Sequence, residues 1–73
     1  MREYELCCEI FNQCSNNQMR DIAFSEVAVE DTDAYIRQLE PNAEIRREEL
    51  PGGAVAYYTD ANGLLKRYSF TPI

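Results

Sequence analysis

Histidine is absent from this chain, and lysine occurs once, at Lys66. Without histidine the side chain that ordinarily titrates near neutral pH is missing, which weighs against acid–base catalysis. Imidazole is also lost as a metal ligand, so a zinc or iron site would have to be built from thiolates and carboxylates. Basic residues are few: seven Lys and Arg stand against thirteen Asp and Glu, for a net charge of −6. Arg46-Arg47 is followed at once by Glu48-Glu49, and Lys66-Arg67 stands alone. Nucleic-acid affinity comes mainly from clustered cations that release counterions, and anionic lipid repels an acidic surface. Neither nucleic acid nor membrane is therefore expected as a partner.

Long apolar runs are missing too. No stretch approaches the roughly 18–20 residues of a membrane span, and the first residues, MREYELCC, lack the apolar segment of a signal peptide. Three cysteines leave one unpaired, unlike the paired cysteines of small secreted domains. The expected location is cytoplasmic. The chain contains no glycine-rich phosphate loop, His-Glu-x-x-His or nucleophile elbow, and it is not expected to be an enzyme.

What is present is alternation. Over residues 3–14, Tyr4, Leu6, Cys8 and Ile10 fall on one side of an extended chain, and Glu3, Glu5, Cys7, Glu9 and Phe11 on the other. That period predicts a half-buried strand. Cys14-Ser-Asn-Asn17 supplies turn residues, and a second strand over 22–29 returns beside the first. Ile22 and Phe24 have opposite parity to Val27 and Val29, which admits a bulge near Ser25 or Glu26. Asp31 or Thr32 opens a helix over about 32–40, with Tyr35, Ile36 and Leu39 on its apolar stripe and Pro41 ending it. Strands over 43–50, 54–60 and 64–71 follow, divided by Pro51-Gly52-Gly53 and Ala61-Asn62-Gly63.

The expected fold is a single small α+β domain over residues 1–73, β-β-α-β-β-β, with an antiparallel sheet and one short helix on one face. A right-handed crossover of the helix suggests the sheet order 2-1-3-4-5. The register of the last hairpin stays open. A two-residue turn at Asn62-Gly63 sets Tyr57 opposite Tyr68 and Val55 opposite Phe70, whereas a three-residue turn sets Ala56 opposite Tyr68 and Ala54 opposite Phe70.

One short helix cannot cover five strands, so a second face stays open and partly apolar. Phe11, Leu65 and either Tyr57 or Tyr58, according to register, are the candidate interface residues on it. The expectation is a non-enzymatic protein-interaction or accessory domain that self-associates through this face or an edge strand, or that accompanies a larger enzyme complex. No cofactor is expected. The alternative is a thiolate module, binding zinc or iron or working as a redox site, through Cys7, Cys8 and Cys14. Against it, adjacent strand residues point to opposite faces, so Cys7 and Cys8 would not reach one ion from a regular strand.

Overall fold

Asn62 and Gly63 both take positive φ, 54° and 85°, which makes the last hairpin a two-residue type I′ turn. The Asp60 carboxylate accepts a hydrogen bond from the Gly63 N–H at 3.0 Å and holds the turn closed. Register follows from it: Ala61 pairs with Leu64, Tyr57 with Tyr68 and Val55 with Phe70. A slip of one residue would have sent Tyr57 to the other face of the sheet.

The computed structural model describes residues 1–11 and 20–73. Five strands form one antiparallel sheet: β1 (Arg2–Phe11), β2 (Arg20–Val29), β3 (Glu44–Glu49), β4 (Val55–Ala61) and β5 (Leu64–Pro72), with one helix, α1 (Thr32–Leu39), between β2 and β3. The architecture is α+β. The turn expected at 14–17 lies outside the described residues.

The strands lie in the order β2-β1-β5-β4-β3, which corrects the expected 2-1-3-4-5. The reason lies in β3. Its sequence EIRREE is charged on both sides, and all six residues are exposed. Between two neighbours those charges would crowd on both faces of the sheet; at an edge they remain in water and blunt the edge against further pairing. β5 carries Tyr68 and Phe70 on one side and can be buried there, so it takes the central place beside β1. β2 also departs from expectation. Its ladder with β1 runs unbroken from Arg2–Val29 to Phe11–Arg20, with no bulge. Ile22 and Phe24 therefore face away from Val27 and Val29.

α1 starts where its acidic cap predicts. Asp31 has extended backbone geometry, and its side chain accepts from the Asp33 N–H at 3.0 Å. At the other end the Glu40 N–H donates to the Ile36 carbonyl at 2.9 Å before Pro41. Ile36 is fully buried against the sheet and Tyr35 is half-buried, but Leu39 stands out, 46% exposed. Eight residues make a helix about 12 Å long, while five strands about 4.8 Å apart span about 19 Å. The helix covers the middle of one face and leaves the rest.

The core lies under it. Leu6, Val55, Tyr57, Tyr68 and Phe70 are buried with Ile36, and Tyr4, Cys8, Val27 and Tyr35 pack at its border. Phe70 sits at the centre. Tyr4, Tyr35 and Tyr57 each present a ring edge-on to it, with centroids 5.8, 5.9 and 5.8 Å away. These three rings come from β1, α1 and β4, so one side chain joins three elements.

Phe70→Ala removes that centre. The expected loss is about 3–5 kcal/mol, against a total of roughly 4–11 kcal/mol for a chain of this length. Urea unfolding followed by circular dichroism should show the variant largely unfolded at 37 °C. A midpoint within experimental error of the parent would contradict this description of the core.

Candidate functional site

Two groups of side chains lie outside the apolar core, one on each face of the sheet. Under the ends of α1, two tyrosines tie the helix to the sheet. The Tyr57 hydroxyl donates to the Asp33 carboxylate and meets the Thr32 hydroxyl at 2.7 Å, and Arg47 lies 3.6 Å from the other Asp33 oxygen. The Tyr68 hydroxyl donates to Glu40 at 2.7 Å, and the Lys66 ammonium donates to the same oxygen at 3.0 Å. Register partners Tyr57 and Tyr68 thus hold opposite ends of one helix.

This arrangement tunes the groups within it. Donation from Tyr68, and then Lys66, holds the Glu40 carboxyl below its ordinary range despite partial burial. Burial, and then the bond to Glu40, pushes the Tyr68 hydroxyl far up. Burial also raises the Cys8 thiol, which borders the same cluster, although the adjoining Tyr68 hydroxyl works the other way. A raised thiol stays protonated at neutral pH and is a poor nucleophile or ligand. The cluster reads as a helix anchor.

Among the described residues, the opposite face carries no helix. Arg67 is its centre. Its guanidinium lies 3.5 Å from Glu9, donates to the Tyr58 hydroxyl at 3.2 Å and sits 5.7 Å from the centroid of the Tyr58 ring. Tyr58 makes a long 3.5 Å contact to Glu48 in turn. The chain β1-β5-β4-β3 is thereby crossed by a row of polar side chains. Hydrogen bonding to Tyr58, together with Glu9 and Glu48, raises the Arg67 pKa further, so its charge is fixed. Phe11, Tyr58 and Leu65 line an open-sided concavity of about 770 Å³, with Glu44, Arg46 and Asp60 among its other walls.

Of the candidate interface residues, Phe11, Tyr58 and Leu65 share this helix-free face: Phe11 is half-buried, and Tyr58 and Leu65 are 36% and 37% exposed. Tyr57 is withdrawn from the set, because the type I′ register buries it beneath α1. Two residues not singled out from sequence are more open than any of these. Phe24 is 68% and Ile22 52% exposed, both on β2 and both on the helix-free face. Their parity was the signal: an unbulged strand apolar at both even and odd positions carries apolar groups on both faces.

The two described thiols, Cys7 and Cys8, do not converge. Cys7 faces the helix-free side and Cys8 the helix side of a regular ladder, and both are half-buried free cysteines. Cys14 lies outside the described residues. Among the described residues no group of three or more Cys, Asp or Glu is placed to hold a metal ion, and no helix is long and apolar enough to cross a membrane. Comparison with protein-family models, with curated proteins and with solved structures finds no match, so the functional reading rests on geometry.

The anchoring role of Glu40 has a pH signature. Its folded pKa lies below the ordinary 4.5, so the stabilisation it contributes is complete above that value and is lost as pH falls through the folded one. Glu40→Gln should lower the melting temperature at pH 7 and shrink the further drop seen on acidification below about 4.5. Parallel melting curves for parent and variant across that range would contradict the assignment.

Proposed function

We propose that this chain is a small non-enzymatic protein-interaction domain that associates with a second copy of itself, through the helix-free side of the sheet or an edge strand. The observation that carries this reading is the pair Ile22 and Phe24, two large apolar side chains left more than half exposed on the same face of one strand. Contiguous apolar area of this kind marks protein contact surfaces more often than it marks solvated ones. A chain of 73 residues also gains from a partner, because so small a core stabilises little on its own. The net charge of −6 favours protein over nucleic acid or an anionic membrane as that partner. The absence of histidine and of a catalytic motif supports a binding role, and an odd number of cysteines, with Cys7 and Cys8 both free, fits a cytoplasmic setting. Service as an accessory subunit of a larger enzyme would use the same surface.

Sedimentation velocity tests the reading. The parent chain should sediment at twice its 8.4 kDa mass in the micromolar range, and Phe24→Asp should be monomeric, with the parent's circular dichroism spectrum and a melting temperature lowered by the loss of the partner. Leu65→Arg separates the two routes, since it disrupts a face-to-face dimer and spares one joined along the β2 edge. A parent chain that stays monomeric up to near-millimolar concentration overturns self-association.

A further inference from the structure

The two edges of the sheet are built differently. β3 is guarded by charge of both signs, all of it exposed. β2 offers ten residues of outer backbone with no proline, no lysine and no bulge, and β1 is its one strand partner among the described residues. Natural edges are commonly blunted by dense charge, which β3 has at five of its six residues and β2 at three of its ten. An unguarded edge presents alternate N–H and C=O groups ready to continue the ladder.

Charge on the helix-free face argues against stacking two such faces together. Glu3, Glu5, Glu9 and Glu26 stand on β1 and β2, and the fixed cation Arg67 is already engaged by Glu9. Stacking would bury carboxylates against carboxylates, whereas joining edges leaves them in water.

Resting on the self-association proposed above, we infer that the occupant of the β2 edge is the β2 strand of a second copy, paired antiparallel about a two-fold axis through Ala23. An antiparallel pair of identical strands has its axis perpendicular to the sheet, so both helices lie on one side of a continuous ten-stranded sheet. The register follows from the two exposed apolar residues. Ile22 and Phe24 lie two apart, and only an axis at Ala23 sets each directly opposite the other on the partner copy. Cross-strand pairs of this aromatic and β-branched kind are the favourable unit of sheet pairing. The same axis puts Asp21 in register with Ser25, an acidic residue opposite a neutral one. An axis at residue 24 would set Ile22 against Glu26, and one at residue 26 would oppose Glu26 to itself.

Cysteine cross-linking reads the axis directly. On the axis, the two Ala23 Cα atoms would be about 4.5–5.5 Å apart, inside the disulfide range of about 4.4–6.8 Å. The two Ser25 Cα atoms would be offset by four residues, about 13 Å. In a Cys7→Ser, Cys14→Ser background, Ala23→Cys and Ser25→Cys should be oxidised with glutathione disulfide and resolved by non-reducing electrophoresis, with sedimentation of the unsubstituted chain alongside. Expected is a sedimenting dimer, rapid linkage of Ala23→Cys and little linkage of Ser25→Cys. A dimer in which Ser25→Cys links as fast, or in which neither links, overturns the Ala23 axis and leaves self-association standing. A monomer with no preference between the two positions overturns both. Ile22→Cys mixed with Phe24→Cys provides a second pair on the same axis should Ala23→Cys fold poorly.

Discussion

Phe70 is the side chain on which the rest of the structure depends. It is fully buried, and three tyrosines from β1, α1 and β4 close around it edge-on. An eight-residue helix has little stability of its own. It forms here because Ile36 and Tyr35 complete this aromatic cluster, and because Tyr57 and Tyr68 hold its two ends through Asp33 and Glu40. The type I′ turn at Asn62-Gly63 sets the register that puts Tyr57, Tyr68 and Phe70 on one side. Local backbone chemistry, the core and the seating of the helix are thus one linked arrangement.

The cost of concentrating the core under one helix is a second face that no helix among the described residues covers. Its middle is closed by a polar row, with Arg67 engaged by Glu9 and Tyr58, so that part is satisfied in water. Its β2 margin is different in kind. There Ile22 and Phe24 extend the sheet surface with apolar groups next to the outer backbone edge of β2, while the opposite margin, β3, is charged at every position but Ile45. One molecule carries a guarded edge and an unguarded one, and that asymmetry underlies the functional reading.

Much of the fold was legible locally. Alternation marked β1, the acidic cap marked the start of α1, and Pro-Gly-Gly and Asn-Gly marked the hairpins. What the sequence left open was non-local. Choosing between Tyr57 and Tyr58 as the exposed residue hung on a one-residue difference in turn length, and residue types alone did not decide it. Crossover handedness alone does not fix the sheet order; the charges of EIRREE, which suit an edge and not a centre, place β3 at the margin. The exposure of Phe24 and Ile22 hangs on whether β2 carries a bulge, which their parity leaves open and the unbroken ladder decides. The Glu40 anchor had no sequence signal, since its partners Lys66 and Tyr68 lie 26 and 28 residues away. The thiolate alternative weakened for a reason already visible in sequence: neighbouring residues of a strand face opposite ways, and Cys7 and Cys8 do.

The central claim is that β2 is the edge a partner completes and β3 the edge that stays in solvent. Amide hydrogen exchange measured over a range of protein concentrations tests it most directly. The account predicts that β2 amides gain protection as concentration rises while β3 amides exchange at a constant rate. Protection that grows at β3, or β2 amides whose exchange is indifferent to concentration, would contradict it.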